Sequence, residues 1–276
     1  MRRRTNYVAP SAVATAPEGE RQFVSALHRG LEILRAFRPA DAAGLGNLEL
    51  ANRTGLPTST VSRLTYTLSK LGYLIYEEPT GRYRMGMAVL SLGYACLGGM
   101  RIRETARVHM QDMADRVGPG VLIALGSRDE FAMTYVACAR SGGMISLQLD
   151  VGSRISLARS AMGRAYIAGA TDEERGLLLS RLRERVGEDE WPRIEDGILD
   201  AVEQVRTKGF YTNVGQWQPD VNAVAVPFRP PYGDPRLLAF NAGGPAYLLP
   251  RERLEDELGP RLVRLAGTVL QAGEAG

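Results

Sequence analysis

Six polar side chains crowd one short stretch of this 276-residue chain: Ser59, Thr60, Ser62, Arg63, Tyr66 and Lys70. Hydroxyls and a guanidinium can exchange hydrogen bonds with the edges of base pairs, and an ammonium can neutralise a phosphate. Two further cations, Arg82 and Arg84, follow closely, where they can lie along a phosphate backbone.

Such chemistry needs a scaffold that keeps these groups outward. Asn47 is a plausible N-cap for a helix that buries Leu48, Leu50 and Ala51, and Gly55 supplies the positive φ that stops it. A second helix opens after Leu56-Pro57, with Pro57 suited to its first position and Thr58 or Ser59 to capping, and runs to Leu71 before Gly72. At 100° per residue, Val61, Leu64, Leu68 and Leu71 fall on one inward face. Ser59, Ser62, Arg63, Tyr66 and Lys70 fall on the other, with the hydroxyls nearest the N-terminus, the end of a recognition helix that reaches deepest into a major groove. Tyr73 to Tyr76, then Glu-Glu-Pro-Thr-Gly, then Arg82-Tyr83-Arg84 reads as a hairpin. An αα-hairpin with a merely solvated polar face is the plain alternative. The Gly-Leu-Pro turn, the Ser/Thr/Arg face and the basic hairpin favour DNA.

The residues that carry this pattern are Leu50-Ala51, Thr54-Gly55-Leu56-Pro57, Ser59-Thr60-Val61, Arg63-Leu64, Leu68, Leu71-Gly72-Tyr73 and Gly81 to Gly86. Together they closely resemble the winged helix-turn-helix of the IclR family of bacterial transcription regulators. The resemblance implies double-stranded operator DNA as a partner.

Composition agrees with a soluble protein of two domains. Apolar residues make up 45% and charged residues 24%, which suffices for a core without staples. Residues 1–86 hold 12 Lys+Arg against 7 Asp+Glu, whereas the remainder holds 22 against 24, so the positive excess sits with the polar helix. Cys96 and Cys138 lie in apolar surroundings and read as reduced, buried thiols. Two histidines are too few and too scattered for a metal site. No apolar run approaches the roughly 18 residues of a membrane span, and no signal-peptide pattern is present, so a cytoplasmic location without membrane attachment is expected.

Residues 1–22 read as a disordered basic arm, in which Arg2 to Arg4 either touch DNA or are solvated. An amphipathic helix over Ser25 to Phe37, capped by Ser25, is signalled by Leu27, Leu31, Leu34 and Phe37, and completes a DNA-binding domain over residues 23–86. Residues 87–101 are apolar almost throughout, and a helix of that composition must be covered on most sides. A second copy of the chain is the preferred cover over an intrachain core, because helix-turn-helix readers usually act in pairs. A homodimer or dimer of dimers is therefore expected.

Residues 102–276 form the second domain. An amphipathic helix buries Ile102, Ala106, Met110, Met113 and Val117. Short strands are expected at Val121 to Leu125, Phe131 to Ala137 and Met144 to Leu149, followed by helices at Ser160 to Ala168, Asp172 to Val186 and Trp191 to Lys208. Strands return at Phe210 to Asn213, Ala223 to Phe228 and Leu237 to Asn241, before a last helix from Pro250 to about Gln271. The sum is an α+β fold: a winged helix-turn-helix, a linker helix and an α/β sensor domain with an antiparallel sheet. The order of elements, with Gly152 to Leu157, Ser160 to Ala165, Lys208-Gly209-Phe210 and Gly243-Gly244-Pro245, resembles the GAF-like effector domain of the same family.

No catalytic constellation emerges. Ser160 is not in a nucleophile elbow, the second domain has no histidine beyond His109, and no phosphate-binding glycine motif occurs. Neither enzyme activity nor a cofactor is expected. The resemblance instead places a small organic acid effector near Met144, Leu147 and Ile155, and on Ala161 and Met162, whose helical amides could hold a carboxylate. It adds Asn213, Val221, Ala223, Asn241 and Gly243. Relatives that sense very small oxo-acids carry an acid where Asn213 stands and thiols or hydroxyls where Ala223 and Asn241 stand, so a different ligand is implied. Residues Gly215 to Asp220 read as a loop that brings Trp217 over the site. One reading has Trp217 and Met162 sandwich a flat ring while a helix N-terminus and Arg159 hold its carboxylate; in the other, Trp217 packs in a loop core and Arg159 is solvated. Two alternatives to a ligand-responsive regulator stay open: an enzyme with a regulatory N-terminal domain, and a sensor acting by protein contacts.

Overall fold

The computed structural model describes residues 23–142, 147–230 and 236–274. It divides between Gly99 and Met100 into two compact units. The basic arm lies outside the described residues.

In the first unit, helices α1 (Ser25–Arg35), α2 (Asn47–Thr54) and α3 (Thr58–Lys70) precede an antiparallel hairpin of β1 (Leu74–Glu77) and β2 (Arg82–Met85) and then helix α4 (Met87–Gly98). Ile33, Leu45, Leu50, Leu56, Val61, Leu74 and Tyr83 form the core. Leu45 also bridges Tyr83, so the loop before α2 joins the edge of the wing. Gly55 adopts φ 69° and donates to the Ala51 carbonyl, ending α2.

The buried faces differ from simple helical periodicity. Leu27, Leu31, Leu48 and Leu71 are exposed. Leu71 follows the last residue of α3 and so leaves the stripe; its inward place goes to Thr65, fully buried between Val61 and the partly buried Leu68. A hydroxyl tolerates burial there because it is bonded: Thr65 Oγ1 donates to the Val61 carbonyl at 2.9 Å and approaches Asn47 Oδ1 at 3.4 Å. Asn47 is the first residue of α2 and not its cap. The cap position is Gly46, whose amide donates to the Glu49 carboxylate at 2.9 Å. Pro57 and Val24 likewise stand just before α3 and α1, where Pro57 and Ser25 were expected inside the helix and at its cap.

The second unit begins with α5 (Arg101–Val117), which buries the expected Ile102, Ala106, Met110, Met113 and Val117. Strands β3 (Leu122–Asp129), β4 (Ala132–Arg140) and β5 (Arg154–Ser156) follow, then α6 (Ala161–Gly169), α7 (Asp172–Val186) and α8 (Trp191–Lys208). The chain closes with β6 (Tyr211–Gln218), β7 (Val221–Phe228), β8 (Leu238–Pro245), one π-helical turn and α9 (Gly259–Glu274). The six strands make one antiparallel sheet in the order β5-β4-β3-β8-β7-β6. Helices α6 and α8 pack on one face, α5 and α9 on the other.

Two strand expectations change. Leu147 to Leu149 are not in a strand, and β5 lies further on at Arg154–Ser156. Residues 215–218 belong to β6, so Trp217 stands on a bulged hairpin and not on a loop. Gly215, at φ 65°, supplies the irregularity that lets the strand continue.

Candidate DNA-binding face and effector site

On α3, Ser59, Ser62, Arg63, Tyr66 and Lys70 are exposed and Thr60 is partly so. The face is held in place from behind. Asn47 donates to Ser62 Oγ at 3.2 Å while its oxygen faces Thr65, so α2 is tied to α3 by one amide. Lys70 Nζ lies 5.4 Å from the Tyr66 ring centroid, aligning these two along the outer face.

The wing cations are engaged. Arg82 makes two bonds to the Glu49 carboxylate, 2.7 and 2.9 Å, and donates through Nε to the Gly44 carbonyl at 3.1 Å. Arg84 pairs with Glu77 at 3.2 Å. The Gly46 amide and then Arg82 hold the Glu49 carboxyl below its ordinary value. A phosphate at Arg82 would have to compete with Glu49; one at Arg84 would find a guanidinium that is half exposed.

In the second unit the expected effector residues gather on the α6 face of the sheet. Ile155, Ala161 and Met162 belong to one buried cluster against which Leu147, Trp217 and Ala223 pack. Val221 shares the face of Ala223 by strand alternation, and register places Asn213 opposite Ala223, Ala223 opposite Gly243, and Asn241 opposite Ala225. Met144 lies outside the described residues.

The polar groups there divide into occupied and unoccupied. Asn213 is committed: Nδ2 donates to the Arg159 carbonyl at 3.0 Å and Oδ1 accepts from the Gln216 amide at 3.2 Å. Asn241 is 4% exposed, and its side chain makes no hydrogen bond among the described residues. Ser160 caps α6, accepting from the Gly163 amide at 3.0 Å and donating to the Ser156 carbonyl at 2.6 Å. The preceding amides of Ala161 and Met162 are left without acceptors among the described residues. The Trp217 Nε1 is buried with no partner among the described residues. Arg159, in contrast, pairs with Glu190.

Glycines fix this geometry. A methyl at Gly163 would overlap the Leu157 backbone, so α6 can start against that loop only with glycine there. A methyl at Gly126 would overlap the Met162 thioether, which therefore packs on β3.

Two groups carry more than their sequence context signalled. Asn47 was readable as a cap but links two helices. Arg164, inside a run of small residues, is 3% exposed. It donates from Nε to the Ala158 carbonyl at 2.9 Å and from Nη1 to the Tyr211 hydroxyl at 2.7 Å and to Gln216. Burial raises the Tyr211 hydroxyl above its ordinary value, opposed by this guanidinium.

A helix-turn-helix with a hairpin wing, followed by an α+β unit built on an antiparallel sheet, is the architecture of a DNA-binding transcription regulator. Family comparison gives the particular group: residues 26–78 match the IclR helix-turn-helix domain and residues 94–269 match the bacterial transcriptional regulator IclR C-terminal domain, so the chain belongs to the IclR family. It is 31% identical over 244 residues to the HTH-type transcriptional regulator TsaQ1/TsaQ2 of Comamonas testosteroni, covering 88% of this chain and 86% of that one. Its fold is similar to that of an IclR family transcriptional regulator from Brucella abortus, with TM-score 0.82, 41% identity and coverage of 94% and 96% of the two chains. A more distant IclR homologue from Microbacterium hydrocarbonoxydans, solved with 4-hydroxybenzoate, shares the fold at TM-score 0.69, 21% identity and coverage of 91% and 100%.

Proposed function

We propose that the effector is a small aromatic carboxylate bound on the α6 face of the sheet. The observation that carries this reading is the Trp217 indole Nε1, buried without a partner among the described residues and packed on the cluster that holds Ala161 and Met162. An uncompensated buried N–H is unfavourable unless something accepts from it. The α6 amides suit a carboxylate, the Asn241 amide a ring substituent such as a hydroxyl, and the Trp217 indole the ring itself. Leu147, Ile155, Met162, Val221, Ala223 and Gly243 would serve as walls. Asn213 acts by holding Arg159 and Gln216 in place, and Arg159, paired with Glu190, stays at the margin.

On DNA, Ser59, Thr60, Ser62, Arg63 and Tyr66 read the major groove while Lys70, Arg82 and Arg84 meet phosphates, with Arg82 first leaving Glu49. Helix α4 pairs with a second copy of itself: none of its residues is buried, and Met87, Leu90, Leu92 and Tyr94 stand exposed. A homodimer, or a dimer of dimers, then presents two recognition helices to an operator. The effector acts by favouring one arrangement of the pair, by no more than its differential affinity allows. No turnover of the ligand is involved. The chain works in the cytoplasm; among the described residues no helix is long and apolar enough to cross a membrane.

Titration of the full chain with benzoate and 4-hydroxybenzoate, followed by tryptophan fluorescence and by operator gel shift, tests the reading. Saturable quenching that disappears in Trp217→Phe, with a parallel change in DNA affinity, is expected. An unchanged signal with every aromatic acid, or an equal response in Asn241→Leu, removes the assignment.

A further inference from the structure

Arg164 poses a question that neither DNA nor the effector site answers. A buried guanidinium is costly unless its charge is compensated, yet no carboxylate lies within ion-pairing distance of it among the described residues. Its Nη2 has no bonded partner there either. The fold has nevertheless made room for it. On α8, Gly197 lies against the guanidinium so closely that any side chain there would overlap it. Arg164 lines a cleft of about 340 Å³ beside α8. Arg159 and Arg193 contribute further cations to the lining, and Asp196 and Asp200 are exposed carboxylates of α8.

The cations are not equivalent. Arg159 is taken by Glu190. Arg193 has no ion-pair partner among the described residues, and Arg164 keeps one nitrogen open. The two carboxylates make a bare dianion a poor fit, because like charges oppose it. They are suited instead to accept from a donor carried by the same ligand, with Asp196 the first candidate because one oxygen of Asp200 already accepts from Gln204 at 2.9 Å.

We propose that this cleft is a second ligand site, for a small carboxylate bearing an adjacent hydroxyl or ammonium group. The carboxylate takes the open edge of Arg164 together with Arg193, and the donor faces Asp196 and Asp200. The site is separate from that of the aromatic effector. Arg164 and Met162 are two positions apart on α6, about 200° around the helix, and Met162 points to β3. The two sites are linked all the same, because Gln216 accepts from Arg164 and is the neighbour of Trp217. A ligand that draws the guanidinium away changes how the β6–β7 hairpin is held.

Isothermal titration of the full-length protein with glycolate, L-serine, acetate and inorganic phosphate tests the proposal. Glycolate or L-serine should saturate at one site per chain, the better of the two identifying the donor as hydroxyl or ammonium. Acetate and phosphate should bind at least about tenfold more weakly, and Arg193→Gln should cost the preferred ligand about tenfold or more. Asn241→Leu should leave this binding unchanged even where it abolishes the aromatic response, which keeps the two sites distinguishable. Arg164→Gln should abolish binding; where that variant fails to fold, the exposed Arg193 decides alone. No saturable heat with glycolate or L-serine, full binding by Arg193→Gln, or loss in Asn241→Leu would overturn it.

Discussion

Arg63 stands exposed on α3 with no side-chain partner among the described residues, so its replacement tests base reading with little effect on folding. Arg63→Ala is expected to lose about 1–3 kcal/mol of operator affinity, as for a bidentate base contact, while Lys70→Ala weakens all DNA alike and flattens the salt dependence. Gel shifts at two salt concentrations separate the two. The wing behaves differently, because Arg82 and Glu49 hold each other. The lowered Glu49 carboxyl contributes stability that is present above its unfolded value near 4.5 and is lost as pH falls through the lower folded value. Amide protection in α2 should therefore fall in acid, and Glu49→Gln should flatten that dependence. Burial, then repulsion from Asp150, pushes the Cys138 thiol up to about 12, whereas Cys96 is exposed. Ellman's reagent at about pH 8 should titrate Cys138 only on unfolding, whereas Cys96, on the helix proposed to pair, should react faster once pairing is lost in Leu90→Arg. The outward face of α3 was legible residue by residue, since it follows from helical period alone. The pairing of Arg82 and the exposure of Cys96 were not, because both depend on neighbours distant in sequence or missing from the chain's own core.

Elements show where periodicity suffices and where it misleads. For α5 the apolar spacing names five of the six buried residues and misses Ala114, because a long helix lying on a sheet buries one continuous stripe. For α1 it named Leu27 and Leu31, which are exposed, since a short helix in a small domain is covered only where others cross it. The helical start at Ser160 was legible, but the need for Gly163 depends on the approach of Leu157, which no local pattern announces. Gly163→Ala should destabilise the second unit by about 1–3 kcal/mol through overpacking and blunt the effector response, as read by thermal denaturation with and without ligand. The hairpin carrying Trp217 reads as a loop in the sequence because Gly215, Pro219 and Asp220 are turn formers. A bulge absorbs the first, and the turn itself needs only the last two.

At the scale of the whole molecule, the order of domains and the sheet class were readable from the alternation of periods, and α4 from its composition. What covers α4 is not legible in one chain, because the apolar side chains it exposes meet no partner among the described residues. Leu90→Arg is expected to shift the protein toward monomer in sedimentation and to reduce operator affinity together with the loss of pairing, while each unit keeps its fold by circular dichroism.

The clip that Asn47 and Thr65 make behind α3 has an evolutionary corollary. Ser62 is the outward residue of α3 that this clip reaches; if α3 reads DNA as proposed, Ser59, Arg63 and Tyr66 can be exchanged without disturbing the scaffold. Retargeting to a new promoter would then require only surface changes, and one architecture can be inherited by regulators that answer to unrelated genes.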